Sequence, residues 1–298
     1  MHRSIVIVAL LLLAAACSSE PVASQAADAA TSAPTAAASE IDPLDAFPDA
    51  SSTGVPDDVT LQPSESLVVT EPGAVIEGLD VTGCIEVQAD DVTIRNTRVR
   101  GSCPQGAIST GYGELSGILI EDVEVDGLRQ DSFTAGIGGS GFTCRRCDVH
   151  DSGQGINMGR DVVVEDSYVH DLYYADDSHN AAVSSNGGGG YVIRGNRLEI
   201  PPSPGASAAL ALYGDFAPIE DVLVEGNRFD GGSYCVYGGS VEGKPYPEGR
   251  DIRFIDNVFG DTFHADCGMH GPYVAFDHDA PGNEWRGNRL AATGQLLD

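Results

Sequence analysis

Two dipeptides in the 298-residue chain bring together side chains that trade protons: His150-Asp151 and His170-Asp171, twenty residues apart. An imidazole beside a carboxylate can act as general acid, general base or metal ligand near neutral pH. Asn157 lies between the dipeptides, and Tyr173, Tyr174, Asp176, Asp177, His179 and Asn180 follow the second. The expectation is a centre in which His150, His170 and His179 supply acid–base groups oriented by Asp151, Asp171 and Asp177. A plainer reading stands beside it. Equivalent positions elsewhere hold Arg100, Asp126, Glu199 and Asp230, so the pairs also fit an outward ladder of charges.

"Equivalent" has a definite meaning here, because the chain repeats a ten-residue shape nine times, starting at Ala74, Val92, Ile118, Phe142, Val162, Tyr191, Val222, Ile252 and Asn283. The third position reads Ile76, Ile94, Ile120, Cys144, Val164, Ile193, Val224, Phe254, Trp285. The eighth reads Val81, Val99, Val125, Val149, Val169, Leu198, Phe229, Phe259, Leu290. Apolar residues at positions one and three with polar types between give the period-2 signal of a strand with one buried face. Position eight belongs to a second strand. The fifth position is Gly, Asn or Asp in every copy but one, where Arg146 stands, and these types tolerate the left-handed backbone of a tight bend.

Copies begin 18, 26, 24, 20, 29, 31, 30 and 31 residues apart, by subtraction of the starts above. A constant core with variable connections marks a solenoid, and a third short strand follows the bend in most copies, as in Gly155-Ile156-Asn157-Met158 and Ala182-Val183-Ser184. The fold expected is all-β, a right-handed parallel β-helix of about nine coils, roughly 43 Å long. Cys84 and Cys103 fall on adjacent coils, as do Cys235 and Cys267, so each pair is expected to bridge; Cys144 and Cys147 lie within one copy, where the bend could join them.

Residues 63–298 resemble the right-handed parallel β-helix superfamily of pectate-lyase-like architecture. The segment from Gly226-Asn227-Arg228 through Tyr234-Cys235-Val236-Tyr237-Gly238-Gly239 to Pro281-Gly282-Asn283 is similar to secreted actinobacterial proteins of that superfamily. The resemblance implies a polysaccharide partner, engaged along the third strand and its loops. If the protein is an enzyme, it implies a lyase acting by β-elimination on a uronate-containing glycan, with calcium as the ion that such a reaction would call on. Asn157, Tyr173, Tyr174, Tyr213, Tyr237 and Lys244 are the candidate substrate contacts. Against catalysis, His179-Asn180-Ala181-Ala182-Val183 resembles a His-x-Asp-x-Ile element with Ala181 in place of the acid. The alternative is a non-catalytic surface protein that binds glycan.

The N-terminus carries Arg3, an apolar run from Ile5 to Ala16, and Cys17. Ala14-Ala15-Ala16-Cys17 resembles a bacterial lipobox, so residues 1–16 are expected to be a lipoprotein signal peptide and Cys17 a lipidation site; an ordinary cleaved signal is the alternative. Residues 17–54, rich in Ala, Ser, Thr and Pro, read as a disordered tether, and residues 55–298 as the β-helix domain. The protein is thereby expected outside the cytoplasm, lipid-anchored to the cell membrane, as a monomer. A formal charge of −29 excludes nucleic acid as a natural partner and opposes a polyanionic glycan unless calcium or the Arg95, Arg98, Arg100 cluster intervenes. A second histidine group, His264, His270 and His278 with neighbouring acids, reads as an end cap or a terminal metal site.

Overall fold

In the computed structural model, residues 46–175 and 178–297 are described. Cys17, the signal peptide, most of the tether and Asp177 lie outside the described residues. The chain forms a 24-stranded sheet in which every ladder between named strands is parallel. This is the architecture of a parallel β-helix, three faces to each coil.

The repeat columns are the inward columns of that helix. Ile76, Ile94, Ile120, Cys144, Val164, Ile193, Val224, Phe254 and Trp285 pair in unbroken register along the first face. Val81 through Leu290 do the same along the second. On the third face Leu67, Ile85, Ile108, Ile137, Ile156, Val183, Leu210, Val236 and Tyr273 stack likewise. Together they form one continuous apolar core. The strands Ala135–Gly139 and Tyr273–Val274 carry no sequence signal strong enough to be seen beforehand. The first, AGIGG, offers one large apolar side chain, Ile137, beside the small Ala135, and backbone pairing with its neighbours defines it.

All nine fifth-position residues have positive φ, from 47° at Asn96 to 69° at Gly78, and Arg146 shares the conformation at 49°. The bend is thus imposed on every coil. Side-chain ion pairs to Asp122 and Glu121 hold Arg146 in place. Immediately after the bend runs an internal polar ladder. Asn196, Asn227, Asn257 and Asn288 are fully buried, and each Nδ2 donates to a carbonyl one coil back, on Val164, Ile193, Val224 and Phe254. Each of the first three also donates to the next asparagine's Oδ1 at 2.8–3.0 Å. Buried amides are tolerated because their hydrogen bonds are met within the stack.

Outward on the first face stands a ladder of alternating charge, Glu77, Arg95, Glu121, Arg145, Glu165, Arg194, Glu225. Opposite charges on neighbouring strands favour this register over a slipped one. Cys84–Cys103 and Cys235–Cys267 join neighbouring coils, and Cys144–Cys147 spans a bend.

Residues 46–54, assigned to the tether by sequence, pack on the helix: Phe47, Pro48 and Ser52 lie beside the corner residues Arg146, Asp166, Gly195 and Gly226. Thr53 is buried, and the Gly54 N–H donates to the Arg146 carbonyl at 2.8 Å. Gly54 sits so close to the second face that a side chain there would meet the Asp148 Cβ at 3.0 Å.

Candidate functional site

The two histidine dipeptides are neighbours on the outside of the second face. The strand Asp148–His150 pairs with Tyr168–Val169, which brings the imidazoles of His150 and His170 into a stack with ring centroids 5.4 Å apart. Tyr168 stacks on His170 from the other side at 4.0 Å.

Every imidazole nitrogen faces a carboxylate. His150 Nδ1 lies 2.8 Å from Asp151 Oδ2, and its Nε2 lies 3.8 Å from Glu124 Oε1. His170 Nδ1 bonds Asp171 and its Nε2 bonds Asp148, both at 2.8 Å. The acids have partners too: Arg129 Nε donates to Asp151 at 2.5 Å and Arg98 Nε to Glu124 at 2.9 Å. Burial opposes the charged imidazolium of His150, but Glu124, Asp151 and the fields of Asp148 and Asp126 outweigh it and push the pKa up to about 9. Burial is outweighed in the same way at His170 by Asp148 and Asp171, and its pKa is raised. His150 is therefore imidazolium at neutral pH, and both rings are clamped between carboxylates. That arrangement suits a structural ion network and is poor for a general base, which needs a free nitrogen lone pair.

The network continues in both directions. Arg100 bonds Asp80 through Nε and Nη2 at 3.0 and 2.9 Å. Tyr168 donates to Glu199 at 2.9 Å, Arg197 donates to Glu199 at 2.6 Å and lies over the Tyr168 ring, and buried Arg228 donates to buried Asp230 at 2.7 Å. Arg95, Arg98 and Arg100, the cluster expected to offset a polyanion's charge, each hold an acid, Glu77, Glu124 and Asp80. Among the described residues, one grouping has metal-ligand geometry: Asp126, His150 and Asp151, with ligand atoms within 4.8 Å of one another. It offers one imidazole and two carboxylates where calcium takes six to eight oxygens, and both Asp151 oxygens are already engaged.

The remaining candidates sit on the third face, around the next corner of the coil. Asn157 points outward from the strand Gln154–Met158 and lines a cleft of about 420 Å³ with Tyr112, Ser140, Arg160, Asn186 and Phe216. Tyr112 and Phe216 are 56% and 79% exposed. Phe216 is held in that position by its own N–H and that of Asp215, both donating to the Asn186 carbonyl at 2.9 Å. A second cleft of about 600 Å³ shares Ser140 and Arg160 and runs on to Gly113, Gly117 and Asp161. No residue of the histidine columns lines either cleft.

Tyr213 and Tyr237 pack together, ring centroids 5.3 Å apart, over the small outward residues Ala181, Ala208 and Ala211. Lys244 lies over the Tyr213 ring at 4.8 Å and donates to both Asp215 oxygens at 2.8 and 3.0 Å. Ala181, at the position where the sequence motif would carry an acid, is thus part of an apolar patch. Tyr173 and Tyr174 belong to the loop before the strand Asn180–Ser185. The Tyr173 carbonyl accepts from Asn180 at 3.0 Å, and the buried Tyr174 hydroxyl makes no hydrogen bond; burial raises its pKa. His179 is exposed, and its carbonyl accepts from Gln154 at 2.8 Å.

The structure therefore divides the expected single centre in two. His150, Asp151, His170 and Asp171 come together on the second face; Asn157, Tyr213, Tyr237 and Lys244 lie on the third; no contact joins His179 to either histidine. The physical reason is the corner at residues 151–153, which turns the chain between His150 and Gln154. The C-terminal histidines do not converge on a metal site among the described residues. His270 packs on Tyr234, and His278 on Tyr273 and Phe276. Sequence reasoning missed Arg160, Asn186 and Phe216. A signal existed for Phe216, an aromatic side chain between Gly214 and Pro218 in a connection that has no core to fill.

No family model matches the chain, and no curated protein matches it. Among solved structures it is similar to the Dettilon tailspike protein, with 13% identity and a TM-score of 0.35, over 78% of this chain and 61% of that one. It is also similar to the A-module of the Azotobacter vinelandii mannuronan C-5 epimerase AlgE4, with 14% identity and a TM-score of 0.28, over 76% of this chain and 78% of that one. The chain thus spans about three-fifths of the tailspike. The likeness to both is one of fold alone.

Proposed function

We propose that this protein is an extracytoplasmic, lipid-anchored polysaccharide-binding rod that holds its ligand on the third face without chemically altering it. The observation that carries the reading is the cleft in which two exposed aromatic rings, Tyr112 and Phe216, flank the amides of Asn157 and Asn186. Aromatic faces take the apolar side of a sugar ring, and side-chain amides meet its hydroxyls. Most groups that catalysis would require are otherwise engaged: the imidazoles of His150 and His170 by carboxylates, Lys244 by Asp215, and the acid position by Ala181.

Affinity electrophoresis of the purified protein through gels containing a panel of soluble polysaccharides tests this. Retardation by at least one polymer is expected, reduced at least about fivefold in affinity by Tyr112→Ala and by Phe216→Ala. Unchanged retardation in both variants would remove the cleft from the reading. Incubation of the same panel with and without calcium, followed by ultraviolet absorbance of unsaturated uronate, tests the lyase alternative. A rise on any polymer, lost in Lys244→Ala, would make the protein an enzyme.

A further inference from the structure

We infer that the polysaccharide is an uncharged polymer, and that the third face is built to exclude uronates. This rests on the glycan-binding reading and narrows it to a class of ligand.

The charge of the molecule is segregated by face. The chain carries 45 acidic and 16 basic residues, and charged side chains fill the outward columns of the first two faces. The alternating Glu/Arg ladder occupies the first, and the columns of Asp80, Arg98, Glu124 and Asp148 and of Arg100, Asp126, His150, Glu199 and Asp230 occupy the second. On the third face, the strands Ile108–Gly111, Ala135–Gly139, Gln154–Met158, Asn180–Ser185, Ala206–Leu212, Val236–Gly238 and Tyr273–Val274 contain no charged residue at all. Its outward column opens on Glu86 in an early coil and then reads Ser109, Gly138, Asn157, Ser184, Ala211, Tyr237 in continuous register, uncharged from Ser109 onward. These are hydroxyls, an amide, a bare backbone and a ring, a floor with hydrogen-bonding capacity and no net charge.

Of the cations near this floor, Lys244 is bound by Asp215, and Arg160, at the cleft wall, has Glu220 3.9 Å away, a carboxylate that Arg250 also bonds. A uronate carboxylate laid in the cleft would compete with Glu220 for Arg160, the one cation of the lining, and would approach through the field of a chain with a net charge of −29. It would lose hydration without a charged partner to replace it. A neutral polymer meets neither obstacle. Residues lining the cleft come from five successive coils, those of Tyr112, Ser140, Met158, Asn186 and Phe216. Four inter-strand steps make the cleft about 19 Å long, the dimension of several sugar rings and not of one.

The test compares the purified protein in affinity gels of neutral polymers (dextran, mannan, arabinogalactan) and of polygalacturonate and alginate, at about 10 mM and about 0.5 M salt. The expected result is retardation by a neutral polymer with less than a twofold change across that salt range, and no retardation by either polyuronate at low salt. Glu220→Gln, which releases Arg160, is expected to introduce polyuronate retardation that disappears at high salt. Tighter binding of a polyuronate than of every neutral polymer by the wild-type protein would overturn the inference while leaving the glycan-binding reading intact. No retardation by any polymer would remove that reading itself.

Discussion

At the scale of single residues, the His150 imidazole stabilises the fold through its charge. The groups facing His150 are Glu124, Asp126, Asp148 and Asp151, with Arg98 and Arg129 on the far side of two of them and His170 against its ring. With a folded-state pKa of about 9 against about 6.5 in the unfolded chain, His150 binds a proton more tightly when folded. Its contribution is complete below about pH 6.5 and disappears as pH rises through about 9. At about 1.4 kcal/mol per unit, that is up to about 3 kcal/mol. Urea unfolding of the wild type is expected to show a fall in stability between about pH 6.5 and 9 that is much flatter in His150→Asn. Equal slopes would mean that the folded ring is not held as imidazolium. The sequence made the adjacency of the two dipeptides legible, since equal positions in successive copies must stack. It did not show Asp148 and Glu124 closing on the outer nitrogens, because those contacts depend on rotamers and on a carboxylate one coil away.

At the scale of the element, each coil is a strand, a left-handed corner and a strand, and the buried asparagine ladder couples the corners of the last four copies. Removing one rung leaves its neighbours unsatisfied. Asn257→Ala would strip the acceptor from the Asn227 N–H and Nδ2 and the donor from the Val224 carbonyl. Each orphaned buried group costs ~1–3 kcal/mol, so a loss of about 3–5 kcal/mol is expected in equilibrium urea unfolding. Asn257→Ser, which supplies an acceptor of the kind that Ser167 gives Cys147 at 3.0 Å, should cost less. If both variants unfold as the wild type does, the ladder is incidental to stability. The Glu/Arg ladder of the first face was written in the fourth position of the repeat just as openly as the apolar columns were. Alternation of sign becomes meaningful once cross-strand register makes those residues neighbours.

At the scale of the whole β-helix, charge is sorted by face: ion ladders on two, an outward column uncharged from Ser109 onward on the third, and residues 46–54 packed along the corners of Arg146, Asp166, Gly195 and Gly226. The Cys84–Cys103 and Cys235–Cys267 bridges close loops of 19 and 32 residues, worth about 3–4 kcal/mol each on a chain-entropy basis. Such bridges persist in an oxidising compartment, which supports placement outside the cytoplasm. The lipid anchor is tested by growing producing cells with a labelled fatty acid. Label is expected on the wild-type protein and absent from Cys17→Ser, which should be released from the membrane fraction. Unlabelled wild-type protein would make the leader an ordinary secretory signal.

The sequence by itself determined the coil, because period-2 burial and a bend residue at a constant offset are local properties that nine copies repeat until no other fold accommodates them. From Ile76 to Trp285 and from Val81 to Leu290, the columns read off the chain are the columns that stack. Only the tertiary structure decided what faces what. His150 and Asn157 are seven residues apart, yet a corner places one in a closed ion network and the other in an open cleft whose walls, Tyr112 and Phe216, come from coils more than a hundred residues apart in sequence. Stacking converts distance along the chain into a few ångströms across the rod, and no local pattern encodes which side chains then meet.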